Sequence, residues 1–329
     1  RGRRGVRTNV LTGARAPPEK RPHAIYASFF DALQFAILPI FAFLVIGFAM
    51  GLRGAFTRAA AEGTNAYVVG VAVPCLLFYM LARIDLDDID WPVMAVYLGS
   101  NVVLYALGYA LAHYGFGLRR REALLLGMTG AFPNHVFFIL PIVERLYGAE
   151  ATLPISAMIV FDVVVLFAGT VLLLEAVTGR SNPVTALKNI AQNRLLIAIG
   201  LGIAFNQSGL ALHSGVERFL ELAGASAAPA SLFALGVVLS GGDLSRIGGP
   251  AWGATALKIV LHPLIAIVLF GSLVPVSPEW APISLIVFAA PCGAMAFVLG
   301  LRYDTPVDNV AKAIIVSTVL SVFAVAILA

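Results

Sequence analysis

The chain has 329 residues, of which 60% are AVILMFWYC and 12% are Asp, Glu, Lys or Arg. A soluble domain carries about a quarter charged residues, so too little charge is present to coat a water-facing surface, and an ordinary soluble enzyme is excluded. The net charge of +4 is carried by residues 1–30, where seven Lys/Arg stand against Glu19 and the remainder of the chain sums to −2; the body is therefore not a nucleic-acid-binding surface.

In chain order, residues 1–31, rich in Gly, Pro and Arg, predict a disordered basic tail. The apolar run after it is longer than a signal-peptide core and lacks a small-residue cleavage site, which makes it a retained span. Continuous apolar runs, unlike the short alternating segments of a barrel, predict spans at 33–52, 65–82, 92–113, 122–144, 154–177, 195–208, 226–240, 251–273, 282–300 and 308–328. The sixth and seventh are short against the roughly 20 residues a crossing helix needs. The predicted fold is an all-α polytopic membrane protein of ten transmembrane helices. Residues 32–177 hold the first five, 178–194 a cytoplasmic linker and 195–329 the second five.

Between spans, the stretch from His213 to Leu222 reads as a short interfacial helix. Trp91, Trp252 and Trp280 fall at span ends, as an interfacial belt requires. Cys75 and Cys292 lie inside apolar runs and read as small buried residues rather than a disulfide.

Connections after spans 1, 3, 5, 7 and 9 carry 11 Lys/Arg, among them Arg53, Arg58, Arg119 to Arg121, Arg194, Arg302 and Lys312. The opposite connections carry 3, namely Arg83, Arg145 and Arg218. The positive-inside rule then makes the first set cytoplasmic and places both termini outside. The basic tail opposes this count and is set aside, because the chain starts at Arg1 without an initiator Met.

The halves share a weak repeat. Pro74-Cys75-Leu76-Leu77-Phe78 followed by Asp85 to Ile89 matches Pro229-Ala230-Ser231-Leu232-Phe233 followed by Asp243 to Ile247, at offsets of 155 and 158, and Pro133 to Pro291 is again 158. Five spans per half is an odd number, so the second copy must enter from the other side. That is an inverted repeat, in which substrate sites lie at the midplane where equivalent helices are interrupted.

The interruptions are Pro133, in Gly130-Ala131-Phe132-Pro133-Asn134-His135, and Pro291, in Ala289-Ala290-Pro291-Cys292-Gly293. Each proline removes a donor and frees carbonyls near mid-membrane. The half-helix after each break is expected to offer free amide donors and a positive dipole end, which suit an anion.

These residues carry a resemblance. Pro133-Asn134 with Pro141, and Pro291-x-Gly293 leading through Phe297-Val298 to Tyr303, are similar to the crossover helices of the auxin efflux carrier family. Ile37-Leu38-Pro39 with Gly47, Pro74-x-Leu76-Leu77-Phe78, Leu232 to Gly236, and Lys258 with Pro263 resemble its other segments. That family includes plant auxin exporters and bacterial carriers assigned to malonate and related acids. The resemblance spans residues 33–329 and implies two inverted five-helix repeats, a homodimer and an elevator-like transport motion. It implies that Asn134 meets a substrate carboxylate. Asp162 takes the place of a polar substrate-site residue, a Gln in the auxin carriers. Cys292 departs from the Gln that follows the second crossover proline in the plant members, which speaks against auxin itself, as does the short link between spans 5 and 6.

Asp162 stands mid-span, where an unpaired carboxylate costs kcal/mol unless it is protonated, paired or facing water. It is the first coupling candidate, or a polar residue bonding a neighbouring helix. His135 is a second candidate or a hydrogen-bonded residue at a kink. Lys258, the third coupling candidate, shares a face with His262 at i, i+4 and either balances a carboxylate or snorkels toward the interface.

The expected function is a secondary carrier of small mono- or dicarboxylates in the cytoplasmic membrane, possessing no cofactor or metal and coupled to protons or uncoupled. The substrate set is Asn134, Pro133, His135, Pro291, Cys292, Gly293 and Asp162. A sodium-coupled symporter of the bile-acid type is the alternative, disfavoured by the lack of oxygen-rich side chains around the breaks. An intramembrane aspartyl protease fits poorly, since Ser240 stands where its Gly-x-Gly-Asp motif needs glycine and both Asp243 and Asp304 lie at span ends. A membrane sensor lacks any attached signalling domain.

Overall fold

The computed structural model describes residues 38–83, 89–148, 153–178, 192, 194–241, 246–278 and 280–328. The tail, most of the 178–194 linker and the Asp85–Asp88 and Asp243 portions of the repeat lie outside them. Among the described residues every regular element is a helix. These are α1 (Leu38–Leu52), α2 (Arg58–Leu81), α3 (Trp91–Gly115), α4 (Arg120–Ala131), α5 (residues 135–147), α6 (Leu153–Thr178) and α7 (Arg194–Gln207). They continue with α8 (Ser214–Ala225), α9 (Ala227–Ser240), α10 (Gly249–Ser272), α11 (Ala281–Phe288), α12 (Met295–Arg302) and α13 (Asp308–Leu328).

Local sequence sets the ends. Thr57 caps α2, its Oγ1 accepting from the Ala60 N–H at 3.3 Å, and Asp90 caps α3 by accepting from the Val93 N–H at 3.2 Å. The α2 cap sets the helix start seven residues before the expected 65. Among the described residues six helical runs are long and apolar enough to cross a membrane: α2, α3, α6, α8 with α9, α10 and α13. The helix α7, at 14 residues, is shorter, as its sequence predicts.

Two expectations are corrected. The His213–Leu222 stretch is helical, but α8 runs into α9 through Ser226, which keeps right-handed helical backbone angles. Gly224 seats against Leu76 of α2, so α8 is packed onto the bundle rather than lying apart from it. Trp91 and Trp252 are exposed, as a lipid-facing belt residue should be, but Trp280 is 5% exposed and belongs to the core at the start of α11.

Connections gather at two ends. Gly54 and Phe56 to Arg58 line one cavity with Asp308, Arg119 to Arg121 line another with Thr305 and Pro306, and Lys312 Nζ donates to the Arg246 carbonyl at 2.9 Å. At the other end Arg83 pairs with Glu217 at 3.1 Å and the Ser277 N–H donates to Asp90 at 3.2 Å. The arginine-rich connections therefore share one end of the bundle.

The tightest interhelical seam joins α1 to α9. A Cβ on Gly47 would overlap the Phe233 carbonyl, and one on Gly236 would overlap the Leu44 carbonyl. Only glycine allows this backbone approach, the small-residue packing that membrane helices rely on.

Candidate functional site

The helix α4 stops where its sequence requires. Phe132 precedes Pro133, whose ring drives the preceding residue out of the helical region, and Phe132 is extended at φ −81°, ψ 112°. The α11 to α12 break around Pro291 has the same cause. The two broken stretches cross and pair antiparallel through Pro133 and Cys292. The Asn134 N–H donates to the Pro291 carbonyl at 2.8 Å, and the Gly293 N–H donates to the Phe132 carbonyl at 2.7 Å. Gly293 is needed for the approach, because a Cβ there would stand 2.8 Å from the Phe132 ring and 2.9 Å from the Pro133 carbonyl.

This pairing alters the expectation of free amides at both half-helices. The Asn134 and Gly293 amides bind the opposite break, and the Cys292 N–H donates to Ser317 Oγ at 3.0 Å. Each break is satisfied largely by the other, as buried backbone in a membrane must be. The Asn134 side chain is different: it is nearly buried, lines a cavity of about 50 Å³, and makes no hydrogen bond to the described residues. Pro133, His135, Gly293 and Ser231 share that cavity, whose other walls are apolar, including Leu77 and Val298. Pro291 and Cys292 are in the crossing but not in the cavity wall, and Cys292 is fully buried.

Asp162 does not line the cavity; it lies behind His135, with its Oδ2 3.4 Å from His135 Nδ1. It is fully buried and opens a π-helical turn, Asp162–Phe167. His135 and Lys258 also sit on π-helical turns, His135–Ile139 and Leu257–Leu261, a backbone irregularity frequent at functional positions. The carboxylate is held from α3: Tyr97 donates its hydroxyl to Oδ2 at 2.6 Å, and Asn101 donates Nδ2 to Oδ1 at 3.0 Å. With its proton committed to Asp162, the Tyr97 oxygen accepts from His135 Nε2 at 3.1 Å. A proton between His135 Nδ1 and Asp162 would therefore reside on one or the other.

Lys258 neither snorkels nor pairs directly with Asp162. It is fully buried, with Nζ donating to His262 Nδ1 at 2.7 Å. His262 Nε2 meets Ser100 Oγ at 3.1 Å, and Ser100 donates to the Tyr97 carbonyl at 2.7 Å. The Tyr97 ring lies 6.0 Å from that of His135 and 6.1 Å from that of His262. Two hydrogen-bonded clusters therefore meet at Tyr97, one at its hydroxyl, which reaches His135 on the cavity wall, and one at its main-chain carbonyl, which leads through Ser100 and His262 to Lys258. Tyr97, Ser100 and Asn101 are the members sequence reading passed over; the signal was a polar Ser-Asn pair in the middle of an apolar run.

Comparison with known proteins identifies the family. The family model described as membrane transport protein matches residues 33–195 and 184–329. The chain belongs to that family. The resemblance to auxin efflux carriers agrees with this membership, and the apolar helical runs are those of a membrane transporter. A Rhizobium meliloti protein named "Putative malonate transporter" is 25% identical over 307 residues, covering 87% of this chain and 91% of its own. A Methanothermobacter thermautotrophicus protein named "Uncharacterized transporter" is 25% identical over 291 residues, 87% of this chain and 93% of its own. The Escherichia coli K12 protein named "Uncharacterized transporter YfdV" is 21% identical over 276 residues, 82% of this chain and 87% of its own.

Proposed function

We propose that this transporter is a secondary carrier of small mono- or dicarboxylates in the cytoplasmic membrane, coupled to protons. The observation that carries the reading is the Asn134 amide, unpartnered among the described residues, at the crossing of two proline breaks. An amide can donate to a carboxylate, and apolar walls strengthen that bond. Pro133, Gly293, Pro291 and Cys292 shape the crossing, with His135 beside the anion. The cavity holds about one or two waters' worth of space, so admitting an acid requires the crossing to move relative to its surroundings, as an elevator-like cycle does.

In this reading the chain forms ten transmembrane helices as two inverted five-helix repeats. It works as a homodimer, with its arginine-rich end cytoplasmic and both termini outside. His135 and Asp162 hold the coupling proton, and Lys258 sets the charge of the network from behind. A relative named for malonate supports a short dicarboxylate as the first candidate.

Proteoliposome uptake of a panel of labelled mono- and dicarboxylates, with pH and sodium gradients imposed separately, tests the reading. Uptake of at least one acid driven by a pH gradient alone is expected. Dependence on sodium would favour a bile-acid-type symporter, and no transport of any acid would remove the anion-carrier reading.

A further inference from the structure

Among the described side chains that line the crossover cavity, three carry nitrogen or oxygen: Asn134, His135 and Ser231. His135 has both ring nitrogens engaged behind the wall, Nε2 with the Tyr97 hydroxyl at 3.1 Å and Nδ1 beside Asp162 at 3.4 Å. Asn134 and Ser231 are therefore the side chains left to hydrogen-bond an acid in the cavity. Their surroundings, with Leu76, Leu77, Met80 and Met295 among them, are apolar, so a polar group of the acid that finds no partner there is costly.

The two side chains offer opposite halves of a hydrogen bond. The Asn134 amide has N–H donors for a carboxylate. Ser231 lies on α9, is 4% exposed, and its Oγ donates to the Ala228 carbonyl at 3.0 Å. A serine hydroxyl has one proton and two lone pairs. With the proton committed to Ala228, the oxygen is left to accept, and it repels a carboxylate where it would bind an O–H. The sequence repeat sets Ser231 against Leu76, at offset 155, and Asn134 against Cys292, at offset 158. Leu76 lines the cavity without a polar atom, and Cys292 lies outside its wall. The first half of the chain thus supplies the donor, from its break, and the second half the acceptor, from α9.

We propose that Ser231 is a specificity-determining residue of the crossover site, accepting a hydrogen bond from an O–H that the acid carries in addition to the carboxylate. This role rests on Asn134 holding that carboxylate, as the carrier reading has it. Hydroxy acids have the required chemistry, and a short dicarboxylic acid has it in its singly protonated form. An acid whose polar atoms are those of one carboxylate fits less well.

The test is equilibrium binding of labelled glycolate and acetate, and of labelled L-malate and succinate, to the full-length chain in detergent at neutral pH. Each pair differs by one hydroxyl. In at least one pair the hydroxy acid should bind about fivefold more tightly, the scale of one neutral hydrogen bond. Ser231→Ala should remove that preference and leave the acid without the hydroxyl bound as by the parent, whereas a merely structural role for Ser231 would weaken both acids alike. Ser231→Thr keeps an Oγ and should retain the preference. Equal binding of the two acids of each pair by the parent, a preference that survives Ser231→Ala, or no binding of any of the four acids overturns the role. Proteoliposome uptake separates it from the carrier reading. Uptake of these acids with no dependence on Ser231 would keep the carrier and sink the specificity role, and a Ser231-dependent preference in a chain that moves no acid across the membrane would do the reverse.

Discussion

Tyr97 on α3 donates its hydroxyl to Asp162 on α6 at 2.6 Å, and the same oxygen meets His135 Nε2 at 3.1 Å. One phenol therefore ties a carboxylate buried in the bundle to an imidazole on the wall of the crossover cavity. A movement of the crossing that shifts His135 must alter the hydrogen bonding of Asp162, and protonation of Asp162 must alter the hold on His135. We propose this contact as the route that couples proton and anion binding in the carrier.

Tyr97→Phe keeps the ring packing and removes the hydroxyl. Asp162 and His135 each lose a buried partner, so the variant should be less stable by about 1–3 kcal/mol. Thermal unfolding of the purified protein in detergent reads this; an unchanged midpoint would mean the hydroxyl is not what holds the network.

Asp162→Asn copies the protonated carboxyl in shape and still accepts from Tyr97. The parent should accumulate its acid when the outside is made acidic, since proton and anion move inward together. In the variant, binding should persist while uptake becomes indifferent to the pH gradient. A variant that follows the gradient as the parent does would leave Asp162 as a residue that only joins helices.

Gly236→Ala places a methyl group against the Leu44 carbonyl, on rigid helix backbone. Overpacking of this kind costs about 1–3 kcal/mol, so the variant should unfold at a lower temperature with reduced yield. Equal stability would mean that the α1 to α9 seam can open without loss.

Membrane sidedness is tested by cysteines introduced one at a time at Arg120 and Ala329. In intact cells an impermeant thiol reagent should label Ala329→Cys and spare Arg120→Cys until the membrane is opened. Labelling of both from one side would overturn the topology and the five-plus-five repeat.

The helices and both breaks were legible in the sequence because length, apolarity and proline act locally. A run of about 20 apolar residues and a proline inside it need no knowledge of the partner helix. Asp162 and Lys258 were legible for a related reason, since charge in an apolar run is costly wherever it falls. Their partners were not. Tyr97 bonds Asp162 across 65 positions and Ser100 meets His262 across 162, and neutral hydroxyls scarcely disturb hydropathy. The mutual pairing of the breaks was also hidden, because amides that look free along one helix are satisfied by the other.

The most direct test of the crossover as the anion site is the affinity of purified Asn134→Ala for the acid that the parent transports best, measured from the face opposite the arginine-rich end in oriented proteoliposomes. Binding should be weaker by about 1–3 kcal/mol, the range for losing a hydrogen bond to a charged group, in a protein whose unfolding midpoint is unchanged. Parent-like affinity in a folded Asn134→Ala protein would contradict it and remove the crossing from the substrate path.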